Sequence, residues 1–195
     1  MPATRLSDSR RAALPPRRRS ARGFTLIELV TVLVVASVMA AFAGSRYFQR
    51  ETFDARSFTD QAASMLRYAQ KLAVAQNRPV FVRLDGGGLA ACFDAACSVA
   101  NRVVAPSGRN SGSHETRQYC SGSDTWLCEA PPASVALSTN PAGTAGFYFD
   151  GLGQPYALAN AFPAASTFPA RLAINVRGSD MLRTVTVEGV TGYVY

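Results

Sequence analysis

The chain of 195 residues has a single histidine, His114, and its 20 lysines and arginines include only one lysine, Lys71. A Ser-His-Asp or Cys-His machine needs a histidine with converging partners, and so do most catalytic zinc centres. His114 lies in Ser111-Gly112-Ser113-His114-Glu115, which reads as a solvated polar loop. Nucleotide-cradling loops are missing as well: there is no Walker sequence and no Gly-x-Gly-x-x-Gly. Gly86-Gly87-Gly88 follows Asp85 without the lysine and helix that phosphate binding requires, so it reads as a hairpin turn. No catalytic residue, cofactor or metal ligand is expected.

A uniformly basic surface is also lacking, despite a formal net charge of +7. Residues 1–23 hold Arg5, Arg10, Arg11, Arg17, Arg18, Arg19 and Arg22 against Asp8 alone, a net +6. Residues 24–195 carry 13 basic and 12 acidic groups, a net +1. The excess charge belongs to one short segment at the front, and the body is neutral.

The strongest signal in the chain comes directly after that basic run. Phe24 to Ser45 is apolar except for one charge, Glu28. As a helix it would extend roughly 33 Å, about one hydrocarbon thickness. Arginines on its N-terminal side favour a cytoplasmic N-terminus and an exported remainder. A cleaved secretory signal is one reading, with Ala41-Phe42-Ala43 as its cleavage site, but the apolar run is longer than such signals usually have. A plain transmembrane anchor is another, and it leaves Glu28 without a purpose, because a carboxylate in lipid is costly and usually marks function.

Gly23-Phe24-Thr25-Leu26-Ile27-Glu28-Leu29 resembles the type IV prepilin signature. The resemblance implies cleavage after Gly23 by a prepilin peptidase that also methylates the new amino terminus, giving N-methyl-Phe24. The apolar stretch would then stay attached as the stem of a filament. Glu28 would pair with the terminal amine of Phe24 on an adjacent subunit, compensating a cation in a low-dielectric core. The implied partners are prepilin peptidase, other major and minor pilins, an inner-membrane assembly platform, and membrane lipid before assembly.

Beyond the stem, Phe58, Ala62, Met65, Leu66, Ala69, Leu72 and Ala73 have the spacing of one helical face. Asn77-Arg78-Pro79 should end that helix, which from Phe24 would be roughly 80 Å long, with a kink allowed at Gly44-Ser45. The period then becomes two. Val80–Leu84 and Leu89–Phe93 read as a hairpin around Asp85–Gly88, Gly146–Phe149 as a strand, and Arg171–Val176 with Leu182–Val187 as a second hairpin. Residues 98–142 are rich in Ser, Gly, Pro and Asn and read as an irregular insertion, while Val190 to Tyr195 is expected to close the sheet. The expected fold is α+β: one long N-terminal helix packed on a single curled antiparallel sheet. The organisation is a cleaved basic leader at 1–23, a transmembrane or filament-core helix at 24–45, an amphipathic helix at 46–78, and a periplasmic head at 79–195.

The segments Phe53-Asp54-Ala55-Arg56-Ser57-Phe58 and Met65-Leu66-Arg67-Tyr68-Ala69-Gln70-Lys71 resemble the stem-to-head helix of minor pilins of the GspH/FimT type. Phe147-Tyr148-Phe149-Asp150-Gly151-Leu152-Gly153-Gln154-Pro155 resembles a hairpin of the same group, with the proteins of MSHA-type pili as the nearest likeness. The resemblance implies a structural subunit that initiates or caps a type IV pilus or a type II secretion pseudopilus, held by one span in the inner membrane.

Four cysteines, Cys92, Cys97, Cys120 and Cys128, fall in the exported part, where an even number favours two disulfides. Three pairings exist. Cys92–Cys97 and Cys120–Cys128 are favoured because each closes a short loop rich in turn formers. A zinc site of four thiolates is the alternative, for which the spacings are poor. Some FimT-like pilins bind DNA through a basic C-terminal Gly-Arg-x-Arg tail. Here the end reads Gly192-Tyr193-Val194-Tyr195, and the neutral head offers little field for phosphates, which argues against nucleic acid as a partner.

Overall fold

The computed structural model describes residues 24–161, 164–179 and 181–195, and of 42–51 the backbone alone. The architecture is α+β. Among the described residues a long helix, α1 (Leu26–Gln76), precedes eight strands, one short α-helix and two single 3-10 turns. The chain divides into two units, Met1–Phe42 and Ala43–Tyr195, and α1 contributes to both. The leader at 1–23 lies outside the described residues, whereas Gly44-Ser45, where a kink is allowed, falls within the helical run of α1.

The C-terminal part of α1 forms because its apolar residues recur every three or four positions and find a partner. Ala55, Phe58, Ala62, Met65, Leu66, Ala69 and Ala73 are buried, and Leu72 packs at the margin of the same core. The helix stops by a specific device. Asn77 takes a left-handed φ of 46° while its N–H donates to the Val74 carbonyl, and the Arg78 N–H donates to that of Ala73. This is the Schellman arrangement, with asparagine in glycine's place. Pro79 then prevents resumption.

Where one curled sheet is expected, there are two. β1 (Val80–Arg83), β2 (Leu89–Cys92), β3 (Cys128–Glu129), β5 (Gly146–Phe149) and β6 (Pro155–Ala157) form a five-stranded sheet in the order β3-β2-β1-β5-β6. β4 (Ala136–Asn140), β7 (Arg171–Arg177) and β8 (Leu182–Glu188) form a second sheet in the order β4-β7-β8. All pairs are antiparallel. β6, which opens with a proline that has no N–H for the ladder, is one edge of the five-stranded sheet. The chain then folds back on itself: the Asn160 side-chain oxygen accepts from the Ala157 and Thr167 N–H groups at 3.0 and 2.9 Å.

Segment 98–142 also departs from expectation. It supplies α2 (His114–Tyr119), β3 and β4, two of which extend the sheets. His114 is therefore the exposed first residue of a helix rather than part of a loop. The polar run before it is the cap, with Ser113 Oγ accepting from the Thr116 N–H at 3.1 Å.

Both sheets and the C-terminal part of α1 share one core. Phe147 and Phe149 project from the same face of β5 and meet edge to face at 5.1 Å. Leu172, Ile174 and Val176 from β7 and Val185 and Val187 from β8 are fully buried in the same cluster. The C-terminus is tied in: Val194 bridges Val187, and the Tyr195 backbone exchanges hydrogen bonds with Thr186 at 2.7 and 3.1 Å. Gly192 allows this, having φ +69°, and a Cβ there would collide with the Gly153 carbonyl. A second, smaller core gathers Ala90, Trp126 and all four cysteines.

Candidate functional site

The residues singled out at the front lie around the first turn of α1. Thr25 precedes the helix, and its Oγ1 accepts the Glu28 N–H at 3.3 Å. Threonine at the cap with glutamate three positions on is the capping-box spacing, and an acid in the first turn also suits the positive end of the helix dipole. Glu28 is exposed, and among the described residues its carboxylate has no ion-pair partner. Phe24, which carries the proposed new amino terminus, is 77% exposed. Gly23 lies outside the described residues.

From Phe24 to Met39 the large apolar side chains are exposed all round, with Leu26, Ile27, Leu33, Val34 and Met39 all more than half open. Nothing among the described residues covers them. A helix apolar on every side is buried in some other medium, either lipid or other helices. No helix among the described residues is long and apolar enough to cross a membrane. The expected span of 24–45 includes positions 42–45, whose side chains are not among those described.

The cysteines are joined as Cys92–Cys97 and Cys120–Cys128, with Cα separations of 5.2 and 5.9 Å, and no free cysteine is left among the described residues. Both bridges sit around the indole of Trp126 in the small core. With all four sulfurs bonded in pairs, the alternative of a four-thiolate zinc site is displaced.

The arginines near the C-terminus do not converge. Arg171 and Arg177 stand at the two ends of β7 on its outward face, about 20 Å apart at the usual rise of a strand. Arg171 is already paired with Glu188 at 3.1 Å. Arg183 is paired in register with Val176 and so shares the opposite face.

Two features of the insertion are not announced by the sequence. Glu129 is a buried carboxylate that accepts from the Ser111 N–H at 2.6 Å, the Ser111 hydroxyl at 2.5 Å and the Thr116 hydroxyl at 2.9 Å. It pins α2 onto β3 and is fully occupied in doing so. Arg102 lies over the ring of Trp126, its Cζ 4.1 Å from the centroid. No spacing rule signals either one, because the partners are 13 to 24 positions apart in an aperiodic stretch. Burial pushes the Tyr119 phenol well above the ordinary tyrosine range, and the neighbouring Asp85 carboxylate acts in the same direction.

A family model described as the prokaryotic N-terminal methylation motif matches residues 18–44, which include Gly23, Phe24 and Glu28. No curated protein matches the chain in sequence. In structure the chain is similar to the type IV minor pilin FimU of Pseudomonas aeruginosa in two crystal forms. One likeness has a TM-score of 0.44 and 16% identity, covering 79% of this chain and 90% of that one. The other has a TM-score of 0.46 and 16% identity, covering 72% of this chain and 90% of that one.

Proposed function

We propose that this chain is a minor pilin or pseudopilin, a structural subunit and not an enzyme. One coincidence carries the reading. The N-terminal methylation motif at 18–44 overlies a helix whose apolar side chains are uncovered on all sides. The only early charge of that helix, Glu28, lacks a counter-ion among the described residues.

On this reading a prepilin peptidase cuts between Gly23 and Phe24 and methylates the amine of Phe24. Before assembly the apolar stem sits in the inner membrane as a single span, with the arginines of 1–23 on the cytoplasmic side and the head in the periplasm. On assembly it leaves lipid for a bundle of like stems. There Glu28 meets the Phe24 amine of a neighbouring subunit, so that charge neutralisation sets the axial step. The subunit initiates or caps its filament, either a type IV pilus of the MSHA kind or a type II secretion pseudopilus. The assembly platform and the other pilins are its partners.

Mass spectrometry of the protein extracted from membranes tests this directly. The expected first residue is N-methyl-Phe24. An amino terminus at Gly44 would mean ordinary signal-peptidase cleavage after Ala41-Phe42-Ala43, and would end the filament reading.

A further inference from the structure

The small disulfide-bonded core of the head supports a cavity of about 320 Å³ whose walls include Arg83, Arg102, Tyr119 and Trp126. Its two arginines differ in one respect. Arg83 is spent: its guanidinium is paired with Asp85 and reaches the Ala96 carbonyl at 3.4 Å. Asp85 also receives the Tyr119 hydroxyl at 3.4 Å. Arg102 is unspent. Its Nε is buried without any acceptor, and among the described residues none of its other side-chain donors reaches one. The Nε itself is closed off from solvent, so the outer guanidinium donors of Arg102, which have no protein acceptor among the described residues, are the ones free to meet an acceptor entering the cavity.

The position of Arg102 is fixed rather than incidental. Its backbone forms a bridge with Cys92, and the next residue, Val103, donates to the Ala91 carbonyl at 3.1 Å. That same carbonyl accepts Trp126 Nε1 at 2.8 Å, which locks the indole under the guanidinium. Val104 bridges Trp126, and the Cys120–Cys128 disulfide ties the chain just after Trp126 back to the end of α2. A stacked guanidinium of this kind presents a planar fork with little conformational freedom left to lose on binding.

We propose that this cavity receives the carboxylate of a glutamate or aspartate side chain from a partner protein, held by Arg102. The charge on the walls is two arginines against Asp85, a net +1, which suits a monoanion. A phosphate dianion would face the Asp85 carboxylate with only one cation to spare. The remaining lining also selects among carboxylates. Ala90, Ala96, the Cys97 end of a disulfide and the Trp126 ring suit an aliphatic stem. An acidic sugar would bring several hydroxyls, while Ser121 is the one hydroxyl on the walls not already bonded to Asp85. The site belongs to the head alone and does not depend on how the stem is processed.

Trp126 is the only tryptophan in the chain, so its emission reports this cavity without background. The test titrates the full chain in detergent with the capped peptide Ac-Ala-Ala-Glu-Ala-Ala-NH2 and with its Gln counterpart. The Glu peptide is expected to change the emission saturably, with a Kd on the order of 1 mM, and the Gln peptide to bind at least about tenfold more weakly. Arg102→Gln should abolish the response, while Arg177→Gln, on the outward face of the second sheet, should leave it intact. Arg102→Lys keeps the charge and loses the fork, and should bind about tenfold more weakly than wild type. Equal binding of the Glu and Gln peptides, no saturable response, or full binding by either Arg102 variant would overturn the site. Tighter binding of inorganic phosphate or D-galacturonate than of the Glu peptide would overturn the occupant.

Discussion

Arg67 donates from Nε to the carbonyl of Val194 at 3.1 Å, joining the long helix to the penultimate residue of the chain. Three positions on, Gln70 does the same for two turns, reaching the carbonyls of Gly153 at 3.0 Å and Thr191 at 3.1 Å. The helix is therefore not only covered by the sheets but tied by its polar flank to the turn at Gly153 and to the C-terminal segment.

This predicts a clear hierarchy of costs in a head fragment beginning at Thr52. Leu66→Ala removes a fully buried side chain and should cost about 2–5 kcal/mol. Arg67→Met keeps the aliphatic stem and loses one hydrogen bond, so about 1 kcal/mol is expected. Urea unfolding of both variants checks the order.

The amphipathic helix and both long hairpins are legible because burial imposes a period that sequence displays directly. Phe58 to Ala73 repeats every three or four residues, and Arg171–Arg177 with Leu182–Glu188 every two, as their environments require. That the β7–β8 hairpin belongs to a separate sheet is not legible. β4 has an alternation of half-buried and exposed residues with little apolar contrast, and its partner β7 lies more than 30 positions away. β3 is two residues long and exists through its pairing with Leu89 and Ala90. The favoured cysteine pairs can be read from their short loops, whereas Arg102 on Trp126 depends on an isolated bridge between segments more than 20 positions apart.

The disulfides should contribute measurably, since loops of this size give about 2–2.5 kcal/mol each in the chain-entropy description. Non-reducing peptide mapping should recover Cys92 with Cys97 and Cys120 with Cys128. Thermal melts with reductant should show a lower midpoint, and Trp126 emission should move to the red as the small core opens. A chelator should change neither observable.

Alkaline pH should destabilise the head through Tyr119. Its folded-state pKa is raised by burial, so the unfolded chain loses this proton first, near pH 10. The unfolded state then binds fewer protons than the native one, and stability falls with rising pH. The contribution is fully present below about pH 10 and is lost above it as pH rises towards the folded value. Tyr119→Phe should flatten that part of the curve, as read from rapid denaturant titrations between about pH 8 and pH 11.

The stem is proposed to pack against other stems, and Glu28 tests that claim most directly. In lipid alone the carboxylate is a liability, so Glu28→Leu should insert slightly more favourably. In a filament the same change strands the Phe24 amine of a neighbour, and breaking one side of a buried pair costs about 3–5 kcal/mol. The measurement is the fraction of the chain recovered in sheared filaments relative to membranes, for wild type, Glu28→Asp and Glu28→Leu. Normal cleavage after Gly23 is predicted in all three, with intermediate incorporation for Glu28→Asp and almost none for Glu28→Leu. Incorporation of Glu28→Leu at the wild-type level would contradict stem-to-stem pairing.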